Sequence, residues 1–320
     1  SADVTYWPVA LRAGVELRTR CRVREITVGA DGMADGVIYY DENGVERRQK
    51  AEVVVLACNG VGTARLLLNS RSPQFPDGLA NRSGLVGRNL MLHPYSATIG
   101  IFDEPLDGYK GPVGCGLWSH EFYETDSARG FKRGFIFEMN RSFHPMFGAL
   151  IALPQGRLPW GAAHHEAFAG LYDRTLPLLG ICEDLPDPEN RVTLDEHLTD
   201  SNGIPAPKIT YRLSENSRRM LDFSIARATE VLKAAGARDI MVENPVKMAG
   251  WHLMGTARMG TDPERSVVNE WGRCHDVRNV FIVDGSIFVT AGGLNPTSTI
   301  QALALYIADT MKDNLANLFD

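Results

Sequence analysis

The chain has 320 residues, enough for one large domain or two smaller ones, and 44% hydrophobic with 22% charged residues excludes a disordered or low-complexity chain. A formal net charge of -6 and a pI near 5.8 argue against a general nucleic-acid or anionic-membrane surface, because such surfaces need clustered Lys and Arg. No run approaches the roughly 18 apolar residues of a membrane span, and the opening SADVTYWPVA lacks the charged and apolar regions of a signal peptide. Small neutral ligands remain open.

In chain order, Tyr6 to Ala13 reads as a helix, and Val15 to Arg20 and Val23 to Val28 read as strands. Gly36 to Tyr40 and Arg47 to Gln49 form a hairpin around Asp41-Glu42-Asn43-Gly44. Glu52 to Ala57 is a buried strand, followed by the glycine turn Cys58-Asn59-Gly60-Val61-Gly62-Thr63 and an apolar helix, ARLLLNS. A glycine turn between strand and helix can cradle a dinucleotide. GVGTAR is not the dinucleotide fingerprint, however: the third glycine is missing and no acid closes a following strand about twenty residues on. Gly84 to Pro94, GLVGRNLMLHP, forms the next distinctive segment; for its Arg88 and His93 a structural, hydrogen-bonded role is expected.

From Tyr95 to Lys247 the pattern changes. Strand-like runs (Ala97 to Phe102, Phe131 to Glu138, Gly180 to Cys182, Arg191 to Leu194, Lys208 to Tyr211) alternate with Gly, Pro and Asp, and a long helix follows from Glu215 to Ala235, with Ser214 as its cap. An antiparallel sheet backed by helices fits this pattern. The region holds His120, His144, His164, His165 and His197, but adjacent histidines rarely ligate one ion and no third ligand stands at a regular spacing, so no metal is expected. The aromatics Trp118, Phe122, Tyr123, Phe143, Phe147, Trp160, Phe168 and Tyr172 are expected mostly in the core. Five cysteines (Cys21, Cys58, Cys115, Cys182, Cys274), odd in number and without C-x-x-C spacing, read as free thiols of a reducing compartment.

The richest stretch runs from Trp251 to Ala302. Asn279 to Val283, NVFIV, reads as a strand covered on both faces, ending at Asp284-Gly285, where open α/β sheets collect their ligands. Asn295-Pro296-Thr297 then opens an apolar helix, Ser298 to Met311, with Asn295 as N-cap and Pro296 at the first helical position. A helix start beside a strand end is an anion site.

His252 to Gly260 (H-x-x-G-T-x-R-M-G), the strand with its Asp-Gly-Ser and the later G-x-N-P-T-x-T together resemble the C-terminal signature of the glucose-methanol-choline (GMC) oxidoreductases. The V-G-R-N-L-x-x-H-P segment and the strand and turn before ARLLL resemble further parts of that family. The resemblance implies an α/β fold with three segments: residues 1–94 as part of a Rossmann-like FAD-binding domain, 95–247 as a substrate domain, and 248–320 as the returning FAD-domain segment. It implies FAD as cofactor and oxidation of an alcohol, with His252 as general base and Asn295 as its hydrogen-bonding partner. A neutral imidazole has an unperturbed pKa of about 6.5, close to the working pH of a base. By the same resemblance the cofactor would meet Val23, Ala57, Cys58, Gly60, Asp284, Gly285, Asn295, Pro296 and Thr297, while Arg258 and His275 would be structural.

The family's pyrophosphate fingerprint is absent, so a missing N-terminal segment or second chain carrying G-x-G-x-x-G is an expected partner. The substrate is expected to be a small-molecule alcohol, with a sugar or glycoside hydroxyl favoured, and the electron acceptor oxygen, a quinone or another protein. The expected location is the cytoplasm, or the periplasm if a preceding segment carries a signal. Two other readings stay open: a lyase that splits cyanohydrins on the same fold, and a non-catalytic fragment or subunit of a flavoprotein.

Overall fold

The computed structural model describes residues 2–110, 114–141, 145–247 and 250–314. His144 and Phe143 lie outside the described residues, as do the side chains of Cys115 and Phe147.

The first segment contains α1 (Ala2–Arg12), β1 (Arg22–Val28), β2 (Ala34–Tyr40), β3 (Glu46–Lys50), β4 (Val54–Leu56) and α2 (Asn59–Asn69). Strands β1, β2 and β3 form an antiparallel meander in that order. The Asp41 carboxylate makes the β2–β3 turn by accepting from the amides of Asn43 and Val45. Residues 15–20 are not a strand. They find no ladder partner, and Val15 and Leu17 stay exposed while Arg18 reaches Glu16, Tyr39 and Gln49. None of the apolar side chains of α1 is buried. The expected glycine turn is also different, because α2 already begins at Asn59 and its glycines lie inside the first helical turn.

The middle of the chain builds β5 (Tyr95–Ile101), β6 (Cys115–Ser119), β7 (Phe135–Asn140), α3 (Pro145–Ala152), α4 (His164–Leu171), β8 (Thr175–Cys182), β9 (Arg191–Thr199), β10 (Pro205–Thr210), α5 (Glu215–Ala234) and β11 (Asp239–Glu243). Five of these strands form one antiparallel sheet in the order β11-β5-β8-β7-β6, with α5 laid across it. Ser214 caps α5 as expected, accepting from the Ser217 amide. Close helix–sheet contact requires a small residue: a Cβ on Gly180 would stand 2.7 Å from Ser96 Oγ and 2.8 Å from Ser224 Oγ. Phe122, Phe135, Phe137 and Phe223 fill the core between sheet and α5. Trp118 and Trp160 do not join it; Trp160 is 91% exposed. The hairpin β9–β10 leaves this sheet and packs on α2, where Arg65 donates to the carbonyls of Pro205 and Ile204 and pairs with Asp200.

The last segment supplies β12 (Val280–Ile282) and α6 (Thr297–Asp313). Strand β12 is buried throughout and pairs with β4 in parallel, Val280 opposite Val54 and Ile282 opposite Leu56. Asn279 ties this pair to the meander, its amide bonding both backbone groups of Ala34 and the carbonyl of Glu52. The expectation of full cover holds for β12 but not for β4, whose Val55 is 49% exposed. The fold is mixed α/β, with a parallel strand pair in one layer and a helix-backed antiparallel sheet in the other, as the sequence led us to expect.

Candidate active site

The segment Gly87 to His93 is sewn into the protein on two sides. On one side Val192 donates to the carbonyl of Gly87 and Leu90 to that of Asn190. On the other, Met91 and Met254 exchange both backbone hydrogen bonds, an antiparallel bridge. Moving two residues outward along each strand from that bridge places His93 across from His252. The two rings meet edge to face, Nδ1 of His93 lying 2.6 Å from Nδ1 of His252. His93 Nε2 in turn lies 2.6 Å from the carbonyl oxygen of Gly292, and the Tyr95 hydroxyl is 3.4 Å from His252 Nδ1.

His93 is completely buried. Burial, followed by the neighbouring His252, lowers its pKa to about 4, so it is neutral at pH 7. His252 is half-buried and its pKa is also lowered by burial, which keeps it in the base form. Its backbone sits in the left-handed region at φ 61°, a conformation uncommon outside glycine that the surroundings enforce here.

The enforcement comes from two glycines. A Cβ on Gly60 would stand 2.6 Å from the Leu253 carbonyl carbon and oxygen, and one on Gly285 2.8 Å from that oxygen. The backbone after His252 is therefore clamped between the start of α2 and the end of β12. Further bonds fix the clamp: Thr256 Oγ1 donates to the Gly60 carbonyl, Gly255 N to Gly285 O and Ala257 N to Ser286 O. Buried Asp284 accepts from the Thr63 hydroxyl and the Ser286 amide, and Thr63 Oγ1 accepts from Cys58 N.

Asn295 follows a loop anchored at three points. Ala291 packs with Met91 and Met254; Leu294 packs with Tyr95, Ile136 and Ile181. Gly292 offers its carbonyl to His93, and its peptide faces the buried Glu183. Asn295 does not cap α6, contrary to expectation: the helix begins at Thr297 with Pro296 at the cap and no side-chain cap bond. The Asn295 Oδ1 is buried with no hydrogen-bond partner among the described residues. The strain of one side chain serving two roles is thereby absent.

Gly60 and Gly285 thus meet the His252 segment directly, Cys58 and Asp284 join them through Thr63, and Ile300 in the first turn of α6 reaches Gly285. Ala57, Cys58 and Thr297 are exposed. Val23 does not belong to this cluster. It lies half-exposed on β1, beside the far end of α2, where Asn69 donates to Arg24 O; the 11 residues of α2 separate the two ends by about 15 Å. The α2 N-terminus is less open than a phosphate cradle: Asn59 Oδ1 already accepts from the amides of Val61 and Gly62. His275 is structural, bonded to Ser266 and the Gly260 carbonyl. Sequence reasoning missed Tyr95 and Gly292 and assigned His93 to structure alone. The only local signal for His93 is its place in the GLVGRNLMLHP segment.

Two family models, both described as GMC oxidoreductase, match residues 1–95 and 186–304. The chain belongs to the GMC oxidoreductase family. Among relatives within and around it, the 2-methyl-1,2-propanediol dehydrogenase of Mycolicibacterium austroafricanum is 41% identical over 99% of this chain and 58% of its own length. The 6'''-hydroxyparomomycin C oxidase of Streptomyces lividus is 36% identical over 97% of this chain and 54% of its length. The fructose dehydrogenase large subunit of Gluconobacter japonicus is 30% identical over 96% and 55%. The chain therefore spans little more than half the length of these GMC relatives. Among solved structures, a formate oxidase from Aspergillus oryzae, in which FAD modification is described, superposes with a TM-score of 0.64 at 16% identity, covering 93% of this chain and 61% of that one. A pyridoxine 4-oxidase from Mesorbium loti gives 0.58 at 16% identity, with 92% and 57% covered. At that identity the likeness concerns the fold.

Proposed function

We propose that this chain carries the proton-accepting and alcohol-orienting half of a flavin-dependent oxidoreductase that converts a CH–OH group to a carbonyl. The observation that carries the reading is His252, locked through Nδ1 onto His93, beside an Asn295 loop whose amide oxygen has no partner among the described residues. The relatives named above act, by their names, on a diol, an aminoglycoside and fructose. A polar, multiply hydroxylated alcohol is accordingly the substrate class, with oxygen, a quinone or another protein as final acceptor.

FAD is the cofactor this reading requires, and the residues fit one end of it. The exposed Ala57–Cys58 corner, the close-packed Gly60 and Gly285, and the N-terminus of α6, which no side chain caps, would receive the ring system and ribityl chain. A helix N-terminus favours the electron-rich pyrimidine edge of a flavin. The diphosphate end is not provided for, since Asn59 occupies the first amides of α2 and the sequence holds no G-x-G-x-x-G. A further segment or a second chain supplies that end, consistent with the 54–58% share of the relatives' length. When bound, the flavin supplies a hydride acceptor.

The chain's own residues do the rest. His252 Nε2 takes the hydroxyl proton as the carbon–hydrogen bond breaks, and the Asn295 amide orients the substrate oxygen without titrating. Buried His93 and Tyr95 hold the imidazole and keep water from Nδ1.

A visible spectrum of the purified protein, read beside a denaturing gel and intact masses, tests the reading. Flavin bands bleached by polyols without oxygen are expected, and His252→Ala is expected to keep the bands but lose the bleaching. Cyanohydrin cleavage without bleaching would replace the reading by the lyase one. A colourless protein that takes up no FAD would leave a non-catalytic subunit.

A further inference from the structure

We infer that His93 is a positioning residue that fixes the tautomer of His252, leaving Nε2 of His252 unprotonated and ready to accept a proton. Its catalytic meaning rests on the reading of His252 as the base, but the tautomer itself is a property of the resting protein and is measured without turnover.

The assignment follows proton by proton. The Gly292 carbonyl can only accept, so His93 Nε2, 2.6 Å away, carries a hydrogen and donates it. His93 is buried and neutral, which allows it one ring proton, and that proton is spent on Nε2. Its Nδ1 is therefore a lone pair. Two ring nitrogens 2.6 Å apart need one hydrogen between them, and only His252 can provide it. His252 is thus the Nδ1–H tautomer, with Nε2 bare.

The reverse arrangement, with the hydrogen on His93 Nδ1, would press the His93 Nε2 lone pair against the Gly292 oxygen. Two buried acceptors facing each other forfeit a hydrogen bond and keep the desolvation cost. The Tyr95 hydroxyl, at 3.4 Å, is too far from the shared nitrogen to displace the shorter bond.

The arrangement has a chemical consequence. In the proposed reaction the alcohol O–H bond breaks and an N–H bond forms at His252 Nε2, while the hydride leaves carbon for the flavin. His252 becomes an imidazolium whose Nδ1–H already points at a lone pair, so the bond to His93 turns charge-assisted as the charge develops. No second proton moves. The same argument gives a role to the loop before Asn295: through the Gly292 carbonyl it sets the tautomer of His93 and hence of His252.

The test is long-range proton–nitrogen NMR on the complete, FAD-loaded protein labelled with 15N in its histidine rings, with the His252 signals assigned from His252→Gln. We expect an N–H shift at Nδ1 and an unprotonated shift at Nε2 for His252, and the opposite for His93. In His93→Asn, Oδ1 replaces the accepting Nδ1, so the His252 pattern and most of the reduction rate should persist. His93→Leu removes the acceptor; Nε2–H should appear on His252 and the limiting rate of flavin reduction should fall about 100-fold, the low end of what a base contributes, with KM little changed.

An Nε2–H tautomer on His252 in the unmodified protein would overturn the inference, as would a His93→Leu variant with the same tautomer and a rate within about twofold of the parent. If His93→Leu does not fold, the parent spectrum and His93→Asn decide. The expected tautomer combined with normal turnover in His252→Ala would sink the base assignment and leave the tautomer assignment standing.

Discussion

Acidification should weaken this protein in a window set by His93 that opens above the range where most carboxylates titrate. The ring is completely buried, and its pKa falls from 6.5 to about 4 on folding, through burial first and the facing His252 second. Its other neighbours are the Gly292 and Ala291 carbonyls and, beyond that peptide, Glu183. Because the folded-state value lies below the unfolded one, the unfolded chain binds more protons between these limits. Stability is therefore full above pH 6.5 and declines as pH falls towards 4. At 1.36 kcal/mol per pH unit the whole gap amounts to about 3.4 kcal/mol, of which about 2 kcal/mol is gone by pH 5. Against a typical stability of about 5–15 kcal/mol that is a large share. Urea unfolding followed by tryptophan fluorescence between pH 7 and 4.5, on the parent and on His93→Asn, isolates the contribution, since other titrating groups are common to both. The parent curve should drop about 2 kcal/mol further than that of the variant by pH 5. Curves that stay parallel within about 0.5 kcal/mol would show that His93 does not titrate as its burial demands.

Removing the Asn295 side chain should separate stability from turnover. Its Oδ1 bonds nothing among the described residues, so Asn295→Ala should melt within about 3 °C of the parent while flavin reduction drops at least about tenfold; an equal loss of both would assign the residue to structure. Gly60→Ala should destabilise by about 1–3 kcal/mol, because the new methyl meets the Leu253 carbonyl at 2.6 Å and pushes on the His252 backbone; an unchanged thermal midpoint would show that the clamp is slack. Asp200→Ala should cost about 1–3 kcal/mol by urea unfolding, since its partly buried carboxylate, held at about 2, receives both Arg22 and Arg65 and ties the β9–β10 hairpin to α2. In the parent that tie should survive to about pH 3, because a carboxylate of depressed pKa loses its contribution only as pH falls towards the folded value.

The local features that sequence settles by itself were legible. Asp41 to Gly44 makes the turn its side chains dictate, Ser214 caps α5, and the unbroken apolar run at Val280–Ile282 is a strand that ends at an acid. Each depends on propensity or on a hydrogen bond spanning a few residues. The reading failed where a segment's conformation depends on a distant partner. Val15 to Arg20 alternates like a strand but finds no strand to pair with; Cys58 to Thr63 reads as a turn, yet Asn59 caps its own neighbours and starts the helix early. Asn295 reads as a cap, but it follows a loop anchored by His93 and Leu294, and its side chain makes no bond to the helix amides.

The amino-acid sequence by itself determined the family and the strand end, and it singled out His252 and Asn295 as candidates, because those are carried by residue types at fixed short spacings. Only the tertiary structure decided what His252 faces. His93 stands 159 positions earlier, and nothing in either segment encodes the other; their pairing follows from the Met91–Met254 bridge register and from two glycines that admit the Leu253 backbone. A proton's place on an imidazole is set by whichever donors and acceptors the fold brings within about 3 Å, and that is a property of the assembled chain.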